Sequence, residues 1–349
     1  AQAPLPPKRI PPPGYTLTDA ERTALTAGAA ALREEINALV RDFSGDARRT
    51  GLLPDVEIFH KAVDWALRYD EFMAPKEVAY ARMLLEQGRR RAADLRTGRA
   101  PWLEQKGLVL RGHRSRLDGS VQPYGLVVPE DLPRPPASPP LLVWLLGRGE
   151  KRTELAFLAE REAGPPQLVP KGTLVLVPYG RFCNATKFAG EVDVFEALAA
   201  VRTQYAVDPR RIAAGGGSAG GHLAAATATL PGLDEPGEDT RVSAAPDAAV
   251  LFNPALVLAP MEGLPLEGFG TRVPEERLGT KPENLSPAHH VKRGAPPMIV
   301  FHGKADTTVP YATAEAFARV MKAAGNHCEL VGYDGQPHGF FNFGRKDGK

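Results

Sequence analysis

Cysteine is nearly missing from this chain: Cys183 and Cys328 are the only two among 349 residues. Thiols so far apart define no disulfide framework, and each is expected to be a small buried hydrophobe with no bridge between them. Long apolar runs are missing as well. The most apolar stretches, Leu141 to Leu146 and Leu174 to Val177, are far too short to cross a bilayer and have the length of buried strands. Neither sign of charge dominates, since 43 Lys and Arg face 41 Asp and Glu for a net charge of +2. With no basic stripe interleaved with aromatics, nucleic acid is not an expected partner. No internal repeat is visible, which excludes propeller blades and solenoids. Nothing in the pattern sets an oligomeric state.

What is present is ordinary for a globular protein: 43% hydrophobic and 24% charged residues, enough for one large core with a modest appended segment. The chain opens Ala-Gln-Ala-Pro without an initiator Met and stays rich in proline to Pro13. Either a signal peptide has been removed after a small-residue site, which implies export, or the chain has simply been trimmed. Residues 1–14 have no apolar period and read as an extended arm. Residues 15–105 read as a helical segment. Thr18 can cap a first helix striped by Ala24, Leu25, Ala31, Leu32, Ile36 and Leu39; a second follows Pro54, and a third runs from about Pro75 to Leu95.

From residue 106 to 349 the pattern changes. Apolar runs at Leu108 to His113 and Val121 to Val128 flank an Asp118-Gly119 turn, a hairpin signal. Strands are then expected at Leu141 to Leu146, Leu174 to Pro178, Arg211 to Ala214, Ala248 to Phe252, Met298 to His302 and Cys328 to Tyr333. Helices separate most of them, at Glu154 to Glu162, Val192 to Tyr205, Ala219 to Leu230 and Ala312 to Ala324. Apolar strands alternating with helices make an α/β fold with a mostly parallel sheet covered on both faces.

The strongest local signal is Gly215-Gly216-Gly217-Ser218-Ala219-Gly220-Gly221, set directly between a strand and an alanine-rich helix. A turn that lifts one serine above a sheet edge forces strained dihedrals. Side chains at Gly216 and Gly220 would collide with the neighbouring strand and helix, and Gly217 completes the bend. The stretch lacks the Lys-Ser/Thr ending of a phosphate loop and the spacing of a dinucleotide fingerprint. A serine hydroxyl needs a base, and the base needs a partner that fixes its tautomer. Asp306 follows the strand Met298 to His302, and His338 follows the strand Cys328 to Tyr333, so Ser218, Asp306 and His338 stand in the order and at the strand ends this chemistry requires. The alternative for Asp306 is a turn or helix-cap residue, but its place before Val309-Pro310 and a new helix favours the catalytic role.

Seven other histidines compete with His338. His302 lies inside a strand and is expected to be buried and structural; His222 should pack against the sheet. The adjacent His289 and His290 cannot readily share an ion and read as loop-shaping residues. His60, His113 and His327 read as surface or packing residues. No metal or organic cofactor is implied. Two backbone donors are needed for a developing oxyanion: the N–H of Ala219 and one from Gly147 or Arg148, in the run Leu146-Gly147-Arg148-Gly149, unless that run is a plain flexible turn.

On these residues, the chain from about Gly107 onward resembles the esterase and lipase branch of the α/β-hydrolases. The likeness rests on Asp208-Pro209-Arg210-Arg211-Ile212 leading to Gly216-Gly217-Ser218-Ala219-Gly220-Gly221-His222-Leu223, on Phe301 to Pro310 (Phe-His-Gly-Lys-Ala-Asp-Thr-Thr-Val-Pro), and on His338-Gly339-Phe340-Phe341. It is similar in particular to exported acetyl and feruloyl esterases of plant polysaccharides, and its helical extension to prolyl-oligopeptidase-like hydrolases. The resemblance implies an α/β-hydrolase fold, a serine-dependent ester hydrolase and a small-molecule or carbohydrate ester substrate. A serine peptidase and a non-catalytic binding protein are the alternatives. Two departures stand out: Leu146-Gly147-Arg148-Gly149 replaces the family's His-Gly-Gly-Gly, and few residues follow His338. Either the N-terminal helices cover the face a terminal helix would take, or the C-terminus is shortened.

Overall fold

The computed structural model describes residues 11–132, 137–164, 168–181, 186, 189–233, 243–264 and 275–342. The described chain divides into two compact units, one comprising residues 1–132 and 149–205, the other residues 133–148 and 206–349.

The first unit begins with helices α1 (Asp19–Asp42), α2 (Ala47–Thr50), α3 (Pro54–Tyr69) and α4 (Lys76–Arg96). Thr18 caps α1, as the sequence suggested, and does so in a reciprocal box with Glu21 in which each side chain satisfies a backbone N–H the helix leaves open. The short α2 was not foreseen; four residues are too few to carry an apolar period. Most of the expected apolar positions face inward: Leu25, Leu32, Ile36 and Leu39 of α1, Val56, Phe59 and Val63 of α3, and Val78, Leu84 and Ala92 of α4 are buried. Ala24 and Ala79, also expected in these stripes, are exposed because they lie off the inward face, and Ala81 is buried in place of Ala79. Each Leu or Phe withdrawn from water contributes roughly 1.5–3 kcal/mol. Gly88 lets the helices close up, since a Cβ there would stand 2.6 Å from Leu32 and 3.1 Å from Phe59.

Strands β1 (Gly107–Arg114) and β2 (Val121–Val128) form the expected antiparallel hairpin; after β3 (Leu141–Leu145), which belongs to the second unit, β4 (Leu174–Pro178) pairs antiparallel with β2. Helices α5 (Glu154–Ala163) and α6 (Ala189–Arg202) complete the first unit. The outer edge of β1 is closed by a buried polar cluster at the start of α3. Asp55 accepts from Arg111 Nε at 2.9 Å, Gly112 N at 2.8 Å and Trp102 Nε1 at 2.9 Å. Arg91 donates to the carbonyls of Asp55 and Leu110 at 3.0 and 2.8 Å. Backbone groups that would offer a template for another strand are thereby occupied.

The second unit contains β3, β5 (Ile212–Gly217), β6 (Ala248–Phe252), β7 (Met298–Gly303) and β8 (Cys328–Tyr333), every adjacent pair parallel. Its helices are α7 (Ala219–Thr229), the short α8 (Glu275–Leu278) and α9 (Tyr311–Ala323), with two 3₁₀ turns at 282–285 and 287–289. Parallel order is what strands separated by helical crossovers must adopt. Because all five run the same way, the residues following β5, β6, β7 and β8 emerge at one end of the sheet. Among the described residues no helix is long and apolar enough to cross a membrane. Cys328 is buried with a free thiol; Cys183 lies outside the described residues.

Candidate active site

Ser218 stands at the junction of β5 and α7 with φ 57° and ψ −118°, a conformation an L-residue holds only when its surroundings impose it. They do. A Cβ at Gly216 would lie 2.4 Å from the Leu145 carbonyl oxygen and 2.6 Å from Gly220 C, and one at Gly220 would lie 2.1 Å from the same Leu145 oxygen. The bend therefore sits directly on β3, and only residues without side chains allow it. Ser218 N donates to Phe252 O at 2.9 Å, tying the bend to the end of β6.

The other two residues come from the ends of β7 and β8, and meet the serine across the end of β6. His338 Nε2 lies 3.0 Å from Ser218 Oγ, and His338 Nδ1 lies 2.7 Å from Asp306 Oδ2. With the Nδ1 proton directed to the carboxylate, Nε2 is free to accept from the serine hydroxyl. Close packing of two loops makes this approach possible: a Cβ at Gly303, which ends β7, would stand 2.2 Å from the Gln336 carbonyl oxygen just ahead of His338.

Asp306 is buried and held by many donors. Its Oδ1 accepts from the N–H groups of Thr308 and Val309, each at 2.8 Å, so the turn role open to it in the sequence is realised by the same carboxylate. Its Oδ2 accepts from Asn253 Nδ2 at 2.6 Å as well as from His338, with His302 Nε2 at 3.3 Å. Burial alone would raise the carboxyl's proton affinity. The hydrogen bonds from His302, His338 and Val309 outweigh it and hold the group well below the usual carboxylate range.

The remaining candidates fall into place around the serine. Ala219 is the first residue of α7, where backbone N–H groups and the positive end of the helix dipole lie beside Ser218. Gly147 follows the end of β3, and a Cβ there would stand 3.0 Å from Gly217 O and 3.5 Å from Ser218 Cβ, so its backbone runs against the serine turn; Arg148 is next in line. His222 is half-buried in α7 with Nδ1 2.7 Å from Ala255 O. His289 and His290 brace the 282–290 loop through Ser286, Pro260 and Glu283. His60 and His113 are buried packing residues of the first unit, and His327 is exposed. His302 is buried as expected, yet it also touches the Asp306 carboxylate, a contact that its place inside a strand did not reveal. Asn253 was missed altogether, because a lone Asn before a proline after a strand reads as a turn residue.

The α/β-hydrolase fold family profile matches residues 172–342. The chain belongs to that family. Among solved structures it is similar to a thermophilic esterase of the planctomycete Thermogutta terrifontis, esterase 2, with 38% identity over 69% of this chain and 86% of that one and a TM-score of 0.52. The same esterase with propionate bound gives 38% identity, 69% and 88% coverage, and a TM-score of 0.51. Among curated proteins, the probable carboxylic ester hydrolase LipM of Mycobacterium tuberculosis is 35% identical over 144 residues, 38% of this chain and 33% of that protein. Esterase LipQ of the same organism is 36% identical over 170 residues, 43% and 38% respectively. These matches span roughly a third of the length of the curated relatives.

Proposed function

We propose that the chain is a serine-dependent carboxylic ester hydrolase that works through an acyl-enzyme on esters of short acyl chains. The observation that carries this reading is the hydrogen-bonded chain from Asp306 through His338 to Ser218 Oγ on a strained bend. In this reading Ser218 Oγ attacks the ester carbonyl carbon as its proton passes to His338 Nε2. The negative charge gathering on the carbonyl oxygen is met by the N–H of Ala219 and a second N–H from Gly147 or Arg148. His338 then gives its proton to the departing alcohol, leaving Ser218 acylated. A water molecule, losing its proton to the same Nε2, attacks the acyl carbon and restores the serine. Asp306 stays ionised throughout and steadies the imidazolium that forms twice in each cycle.

Short acyl chains are supported by the esterase 2 of Thermogutta terrifontis, which has been solved with propionate bound. The resemblance to acetyl and feruloyl esterases extends the proposal to carbohydrate esters as natural substrates and to an exported setting. The esterase 2 is also described as phosphorylated by paraoxon, which suggests the test. Paraoxon is expected to add one diethylphosphoryl group to Ser218, located by peptide mass, while a p-nitrophenyl ester series shows fastest turnover at two to four carbons. Absence of both labelling and ester turnover would refute the reading. Faster cleavage of a prolyl amide than of any ester would make the chain a peptidase.

A further inference from the structure

The Asp306 carboxylate has one further side-chain neighbour, an asparagine from the strand end between those that carry the serine and the acid. Asn253 follows β6, the strand between β5, which carries Ser218, and β7, which leads to Asp306. Its backbone N donates to Phe301 O at 2.9 Å, just as Ser218 N donates to Phe252 O at 2.9 Å, so residues 252 and 253 tie the strand ends on either side together. Its side chain is fully buried, and Nδ2 reaches Asp306 Oδ2 at 2.6 Å, the same oxygen that accepts from His338.

Two local features set Asn253 apart. Its φ is 44°, in the left-handed region, which Asn tolerates better than most other non-glycine residues but glycine holds at no steric cost. Among the described residues its Oδ1 is buried without a hydrogen-bond partner, as is Nδ1 of His302, the other side chain against Oδ2. Each buried orphan acceptor costs roughly 1–3 kcal/mol. A residue selected only for stability would relieve such strain; one selected to aim an amide at a carboxylate would keep it.

We infer that Asn253 is a positioning residue for the hydrolytic site: its amide pins Asp306 Oδ2 so that the carboxylate presents one fixed lone pair to His338 Nδ1. The inference rests on the proposed ester hydrolase reading. The titratable side chains facing the carboxylate are His302 from β7 and His338 from the loop after β8. Asn253 from β6 and the backbone at 308 and 309 contribute only neutral donors. Deleting the amide therefore leaves the negative charge less shared and Oδ2 held by the two histidines alone, so that its position against His338 is less fixed. The first effect favours protonated His338; the second misaligns it.

The test is Asn253→Gly, which relieves the strained φ and removes the amide together. On p-nitrophenyl acetate, kcat is expected to fall about 10- to 100-fold with KM within about twofold, the scale of loss for a sub-ångström to 1 Å misplacement of a reacting group. The acid limb of kcat/KM is expected to move to higher pH, and Tm to stay level or rise. Asn253→Ser, whose hydroxyl is too short to span the gap, is the second variant should glycine not fold, and the same results are expected from it. A proton NMR titration supplies a readout independent of turnover, in which the low-field Nδ1–H signal of His338 is expected to persist to higher pH in the variant. If the wild-type protein hydrolyses esters and neither kcat, the acid limb nor the His338 signal changes, the assignment of Asn253 is overturned. If the wild-type protein hydrolyses none but the His338 signal moves, Asn253 positions Asp306 as inferred and the hydrolase reading falls instead.

Discussion

The ring of Phe341 occupies the space a side chain at residue 217 would need: a Cβ on Gly217 would stand 2.2 Å from Phe341 Cζ. Phe341 lies three residues beyond His338 and packs 5.1 Å from Phe252, so the loop carrying the histidine is seated in a notch opened by the glycine ahead of Ser218. Gly217→Ala must displace the ring. The expected result is a folded protein with kcat reduced about 100-fold, because the displaced loop carries His338 with it. Phe341→Ala alone should cost less, and the double variant should regain part of the activity lost in Gly217→Ala. Unchanged kcat in Gly217→Ala would show that the notch has no part in seating the loop.

Removing the groups at the centre of the site should have larger effects. Ser218→Ala and His338→Ala are each expected to lower ester turnover by at least about a thousandfold while leaving Tm within a few degrees. The two losses should not add in a double variant, since the serine and histidine act as one unit. Steady-state kinetics beside calorimetry checks both statements.

Acid should weaken the fold in a defined window. Burial, assisted by Arg33, lowers His60 to about 4; burial also lowers His113 to about 4, against a partial opposing pull from Glu196. Both folded values lie below the ordinary 6.5. The unfolded chain therefore binds more protons than the folded one between these limits, and stability is lost as pH falls from about 6.5 towards 4. Each histidine contributes a slope of up to about 1.4 kcal/mol per pH unit there. Urea unfolding at a series of pH values should show this slope, and His113→Gln should reduce it; an unaltered slope would mean His113 is not buried neutral.

Asp55 predicts the stability of the first unit. Asp55→Ala leaves Arg111 and the N–H of Gly112 without their acceptor in a buried site, a loss of the order of 3–5 kcal/mol. Trp102→Phe, which deletes one donor to the same carboxylate, should cost about 1–3 kcal/mol. Chemical denaturation of both variants measures the difference.

Much of this protein is legible in one dimension because its signals are local. Thr18 with Glu21, the Asp118-Gly119 turn and the glycines around Ser218 each act over a few residues, where chain geometry alone limits the choices. Strand and helix positions follow from apolar period, and the order Ser218, Asp306, His338 at successive strand ends follows from parallel topology. By itself, then, the amino-acid order determined the α/β class, the strained serine and the two partners it meets.

Only the tertiary structure decided what surrounds them. Asn253 and Asp306 are 53 positions apart, and Gly217 and Phe341 are 124 apart; His302 looks like any strand histidine until β7 meets the turn at Val309. Contacts of this kind depend on which strand lies beside which and how deeply each side chain is buried. Neither leaves a local trace, because a hydrogen bond between distant residues imposes no spacing on the chain between them.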